Sequence, residues 1–153
     1  MALPQDITPF NESLEDTVVA ASDDDWLETE PGRAWVRLLW SQGETGRHAG
    51  IYRWKKGYAA PSHKHFGAVY VYVISGKLQV RDNILGPGDF LFEPNGMVHY
   101  ATEALEDVDY LMLADGPVLF FDENGFTGYF GWEELRRLEA GAAPPTAAQH
   151  AAG

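Results

Sequence analysis

Five histidines and no cysteine set the terms for transition-metal chemistry in this chain, because any ligand set must be built from imidazole and carboxylate. Two of the histidines, His63 and His65, are separated by a single lysine. On an extended strand alternate residues share a face, so both imidazoles can reach one ion. A third, His99, follows Pro94-Asn95-Gly96, whose composition makes a tight turn. Such a turn reverses the chain and sends His99 back opposite the His63/His65 strand. Three neutral imidazoles leave a divalent ion its full charge and open coordination positions, an arrangement suited to an anionic bidentate ligand such as an enolate. The other two histidines read as bystanders. His48 ends the polar, glycine-bearing loop from Gly43 and is expected to be solvent-exposed in a hairpin connection, and His150 belongs to a low-complexity tail.

The elements that must hold these residues are short strands. Runs rich in Val, Ile, Leu and aromatics cover Ala34–Trp40, Gly50–Trp54, Val69–Ile74, Lys77–Arg81, Asp89–Glu93, Val98–Thr102, Asp107–Leu113 and Val118–Phe121, separated by Gly, Pro and Asp/Asn. About eight strands at this spacing predict an all-β barrel or sandwich. One helix is expected over Trp132–Ala140, where Trp132, Leu135 and Leu138 recur near helical spacing and Gly141 supplies a stop. No internal repeat is present, which excludes solenoids and propellers. Residues 1–33 read as an acidic arm in which Asp23-Asp24-Asp25 is a solvated charge run and Trp26 and Leu27 pin the arm to a neighbouring surface. Residues 34–140 read as the barrel and its helix, and residues 141–153 as a disordered tail.

Charge narrows the function further. With 23 acidic residues against 11 basic ones the formal charge is −12, and such a surface repels phosphate backbones, excluding nucleic acid as the expected partner. The N-terminal residues lack the basic start and apolar run of a signal peptide, and no stretch approaches the roughly 18 apolar residues of a membrane helix. A cytoplasmic protein with no membrane association is the expectation.

The segment from Gly57 to Glu103 resembles the cupin superfamily. Its first motif, Gly-x5-His-x-His-x3–4-Glu-x6-Gly, is met by Gly57, His63, His65 and Gly76; the second, Gly-x5-Pro-x-Gly-x2-His-x3-Asn, by Gly88, Pro94, Gly96 and His99. The resemblance implies a single small RmlC-like jelly-roll barrel with one short C-terminal helix. Two positions depart from it. Val69 stands where most cupins place the motif glutamate, and Glu103, read as structural or solvated, stands where they place the asparagine. Among cupins, three histidines without that glutamate mark the iron-dependent enzymes that cleave carbon–carbon bonds of diketones and hydroxyketones. The chain looks like that group, the acetylacetone-cleaving and 2,4'-dihydroxyacetophenone dioxygenases, with His-Lys-His-Phe-Gly and Phe-Glu-Pro-Asn-Gly-Met-Val-His nearer the latter by eye.

What the resemblance implies is specific. His63, His65 and His99 would hold Fe(II), with Zn(II), Ni(II) or Mn(II) as other metals the donors accept. A 1,3-diketone or 2-hydroxyketone would be cleaved with O2, 2,4'-dihydroxyacetophenone giving 4-hydroxybenzoate and formate in the family reaction. Both groups carry a glutamate just before the motif proline, here Glu93. It could orient a water on the metal, hydrogen-bond a ligating histidine or accept a proton from the enolising substrate, or it is a carboxylate exposed at the barrel rim. Strand parity with His63 and His65 turns Val69, Val71 and Val73 inward, with Met97 and Ala101 near the third histidine, an apolar wall suited to a ketone rather than a sugar. Arg81 pairs with Glu93, binds a substrate anion or is a surface charge. On the opposite face the pattern places Tyr70, Tyr72, Phe90, Phe92 and Tyr100, with Trp35, Trp40, Tyr52 and Trp54 on earlier strands, more aromatics than one small interior needs, and a homodimer or homotetramer is expected. The other readings the resemblance leaves are a non-catalytic zinc-binding cupin like that of certain anti-sigma factors, and a metal-cupin isomerase or decarboxylase using Glu93 as base.

Overall fold

A computed structural model describes residues 15–141, and the expectations for residues 1–14, for the tail beyond Gly141 and for His150 lie outside the described residues. Among the described residues fourteen strands are followed by one α-helix. One sheet has six strands in the order β1 (Trp26–Glu30), β2 (Ala34–Ser41), β3 (His48–Trp54), β12 (Val108–Ala114), β6 (Val69–Ser75) and β9 (Phe90–Glu93). A second sheet orders β10 (Val98–His99), β5 (His63–His65), β13 (Val118–Asp122) and β14 (Gly125–Phe130). The third orders β4 (Ala59–Ala60), β11 (Thr102–Ala104), β7 (Leu78–Val80) and β8 (Asn83–Leu85). Residues from all three line one interior chamber, as a jelly-roll requires. No helix among the described residues is long and apolar enough to cross a membrane.

Alternation along the strands decides what faces that interior. In β6 Val69, Val71 and Val73 are buried while Tyr72 and Ile74 are exposed. The helix α1 (Trp132–Glu139) buries Leu135 and Leu138, as its periodicity predicts. The acidic arm is shorter than expected, because Trp26–Glu30 pairs antiparallel with β2 as an edge strand. Arg53 lies over the Trp26 ring at 4.1 Å, and Arg37 meets Asp25 at 2.7 Å.

Three sequence expectations change, each for a register reason. The strand expected over Val98–Thr102 breaks at Tyr100 and Ala101 into β10 and β11, which resets the alternation. Thr102 and Ala104 turn inward and Ala101 is exposed, so it does not wall the chamber. In β3 the buried set is His48, Gly50, Tyr52 and Trp54, so Tyr52 and Trp54 are interior aromatics and not part of the outer face. His48, expected in solvent, is 2% exposed. The outer face of β6 and β9 does carry exposed Tyr72, Phe90 and Phe92, with Tyr70 against Phe92 at 5.4 Å between ring centroids.

Gly76, the last glycine of the first cupin motif, has φ +77°, and a Cβ there would sit 2.0 Å from the Asp107 carbonyl oxygen. Gly76→Ala combines left-handed strain with a backbone clash and is expected to cost roughly 2–5 kcal/mol, read as a lowered urea midpoint at unchanged m-value.

Candidate metal centre

The second motif turn positions the third histidine. Met97 N–H donates to the Pro94 carbonyl at 3.3 Å across Asn95-Gly96, and Gly96 has φ +88°, the conformation a type II turn needs at that position. The turn is fastened to the His-x-His strand, since Gly96 N–H donates to the His65 carbonyl at 3.1 Å and His65 N–H to the Met97 carbonyl at 2.9 Å. His99 and His63 thereby become cross-strand partners in β10 and β5. Their rings stack with centroids 4.8 Å apart, and His65 stands edge-on to His99 at 5.1 Å.

All three histidines are buried, and one ring nitrogen from each lies within 4.8 Å of the others. Modest side-chain rotation brings such a set to the about 3 Å spacing of nitrogens sharing one ion at about 2.1 Å. The protonation pattern fits. His63 Nδ1 donates to the Pro61 carbonyl at 2.7 Å, which leaves Nε2 bare for a metal. Burial lowers the pKa of His63 against a smaller upward pull from the Pro61 carbonyl. It also takes His65 down to about 4, helped by His63. Both are therefore neutral donors at pH 7.

Glu93 completes the cluster. It is 3% exposed and stands directly across from Val69 in the β6–β9 register, so a carboxylate is present beside the motif position on the neighbouring strand. Its Oε1 lies 2.9 Å from His99 Nε2, and its Oε2 3.6 Å from His65 Nε2. The 2.9 Å contact is out of hydrogen-bond alignment. Glu93 Oε1 and both ring nitrogens of His99 are buried polar atoms without a hydrogen-bond partner among the described residues. Orphaned donor atoms crowded in one place are what a shared cation would satisfy, and the donor set fits a divalent transition metal. Burial pushes the Glu93 carboxyl up, but the nearness of His99, His65 and Arg81 outweighs it and holds the group below its ordinary value. Glu93 is buried and not exposed at a rim.

The remaining expected site residues are divided. Val69 and Val71 line the chamber, of about 160 Å³, beside the three histidines. Met97 is half-buried, is absent from that lining, and contacts the Arg81 guanidinium through its Sδ at 2.6 Å. Arg81 is exposed and does not line the chamber, contrary to expectation, although its guanidinium reaches to 3.9 Å from Glu93 Oε1; its φ is +52°. Sequence reasoning missed Thr102, Tyr52, Trp54 and Tyr110, which also line the chamber. For the three aromatics the alternation of β3 and β12 held the signal, but neither strand carries a ligand to set its phase, and Thr102 follows the break between β10 and β11.

A family model described as the ChrR cupin-like domain matches residues 14–119. The chain belongs to that family. This cupin is 29% identical over 115 residues to the acetylacetone-cleaving enzyme of Acinetobacter johnsonii, covering 71% of this chain and 74% of that one. The crystal structure of an acetylacetone dioxygenase from the same organism superposes with a TM-score of 0.76 at 22% identity, covering 89% of the cupin and 99% of that chain. The complex of Rhodobacter sphaeroides SigE with the anti-sigma ChrR matches with a TM-score of 0.53 at 24% identity, over 61% of the cupin and 51% of that chain. At these identities the structural likenesses show the fold alone.

Proposed function

We propose that this cupin is a metal-dependent dioxygenase, with Fe(II) as its metal, that cleaves the carbon–carbon bond of a 2-hydroxyketone or 1,3-diketone. The observation that carries the reading is the convergence of three buried imidazoles, with valine at the motif glutamate position, on a largely apolar chamber. The sequence similarity to an acetylacetone-cleaving enzyme supports it. For a 2-hydroxyketone the bond between the carbonyl carbon and its hydroxyl-bearing neighbour breaks, and both atoms of one O2 are taken up as two carboxylic acids form.

His63, His65 and His99 would hold the ion, which when bound supplies Lewis-acid polarisation of two substrate oxygens and electron transfer to O2. Glu93, ionised and buried beside His99, is placed to accept the proton that the ketone loses on enolising. Arg81, 3.9 Å from Glu93, stabilises that carboxylate in its charged form. Val69 and Val71 give the ketone an apolar wall and exclude water from the reacting face. The exposed aromatics of β6 and β9 are read as the contact of a homodimer or homotetramer.

Protein loaded anaerobically with Fe(II) is expected to take up O2, on an oxygen electrode, with at least one member of a panel of 1,3-diketones and aryl 2-hydroxyketones. The match to the ChrR family favours a second reading, a zinc-holding cupin without turnover. Retention of zinc alone, with no oxygen uptake across the panel, would replace the first reading with the second.

A further inference from the structure

Behind the chamber wall, which Tyr52 lines and His48 does not, these two side chains form a buried polar pair that this chemistry leaves unused. His48 Nδ1 lies 3.1 Å from the Gly46 carbonyl oxygen, and His48 Nε2 lies 2.8 Å from the Tyr52 hydroxyl. A carbonyl oxygen only accepts, so Nδ1 carries the imidazole proton. Burial lowers the pKa of His48, against a weaker upward pull from the Gly46 carbonyl, which keeps Nε2 bare. A bare Nε2 can only accept, and the Tyr52 hydroxyl must donate to it. The consequence is directional. With its single proton committed to His48, Tyr52 can only accept a hydrogen bond from anything entering the chamber it lines.

The surroundings suit an aromatic occupant. Tyr110, 4% exposed, stacks on Tyr52 with ring centroids 5.4 Å apart and planes 13° from parallel. Trp54 meets Tyr110 edge-on at 5.3 Å. All three rings line the same chamber as His63, His65 and His99. Gly50, between His48 and Tyr52 on β3, lets Val36 and the Tyr52 ring pack closely, since a Cβ there would stand 2.9 Å from Val36 Cγ2 and 3.4 Å from that ring. An aryl group therefore finds rings to pack on, and one fixed acceptor among them.

We propose that Tyr52, oriented by His48, is a specificity-determining residue that accepts a hydrogen bond from a donor on the distal end of an aryl ketone, a phenolic hydroxyl above all. The ketone end of this assignment rests on the dioxygenase reading above, while the donor end rests on the His48–Tyr52 geometry. An aryl substrate with a free hydroxyl is preferred over the same ring bearing a methoxy group, which cannot donate. A hydrogen bond of this kind is worth about fivefold to tenfold in affinity.

The test separates the two ends. Calorimetry on the metal-loaded protein with p-cresol and 4-methylanisole reads the donor end alone, and the cresol is expected to bind about fivefold to tenfold tighter. Tyr52→Phe brings the two affinities together. Because Tyr52→Phe leaves His48 Nε2 buried without a partner, the double variant His48→Leu/Tyr52→Phe removes the orphan and is expected to lose the preference in the same way. On the Fe(II)-loaded enzyme, kcat/KM for 2,4'-dihydroxyacetophenone against its 4'-methoxy analogue repeats the pattern. Equal binding of the two fragments by the wild type, or a preference that survives Tyr52→Phe, overturns the assignment. Fragment discrimination without consumption of any ketone overturns the dioxygenase reading and the ketone half of the proposal. Ketone consumption without discrimination leaves that reading standing and removes Tyr52.

Discussion

His99→Ala is expected to abolish metal retention while leaving a folded barrel. His99 supplies one of three imidazoles, and even changes outside the ligand set typically cost about 10–100-fold in metal affinity, so loss of a direct donor costs more. The effect on the metal-free protein is much smaller because two terms oppose each other. Truncating a ring that is 2% exposed and stacked on His63 leaves a cavity worth a few kcal/mol, about 2–5 for large-to-alanine changes. The same ring carries two buried nitrogens without hydrogen-bond partners, and removing each relieves about 1–3 kcal/mol of desolvation. Circular dichroism should therefore show the same β spectrum for both proteins. Elemental analysis after dialysis should find metal with the wild type and none with the variant. The melting temperature gives an independent readout. Metal at about 100 times its Kd stabilises the wild type by about 2.7 kcal/mol, and the variant gains nothing. A variant that does not fold at all would show the ion to be structural.

That the metal ligands could be read from the sequence while much of the chamber wall could not follows from how each is specified. His63, His65, the Pro94-Asn95-Gly96 turn and His99 are local signals, fixed by spacing of two to a few residues, and the structure brings them together. Ala101 fails for a non-local reason: nothing in Tyr100-Ala101 announces that the strand stops pairing with β5 and resumes two residues on against β4 and β7. His48 fails similarly, since a histidine after a polar loop reads as exposed until β3 pairs with β2 and β12 and turns it inward. The most consequential register is that of β6 with β9. Sequence shows Val69 where a glutamate is customary and Glu93 before a proline, as unrelated facts. Only the pairing of those two residues across adjacent strands shows that the carboxylate has a place next to the imidazoles.

That placement makes Glu93→Gln the sharpest separation of holding the ion from moving a proton. Glutamine preserves the volume of a side chain that is 3% exposed, so its place across from Val69 is kept. It removes the negative charge that His65, His99 and Arg81 face. If Glu93 accepts the substrate proton, turnover falls by about 10²–10⁴-fold while metal content stays with the three histidines. Substrate affinity should then change far less than kcat, because an amide cannot take the proton but leaves the apolar wall intact. A Glu93→Asp variant keeps the charge one methylene further from the ketone and should recover part of the lost rate without altering metal content. Loss of metal in Glu93→Gln would instead make the carboxylate a ligand, the displaced equivalent of the glutamate missing at Val69. Unchanged turnover would make it a partner that orients His99 through the 2.9 Å contact and takes no proton. The three outcomes differ in which of two measured quantities moves, metal content or kcat, so one variant assayed both ways assigns the group.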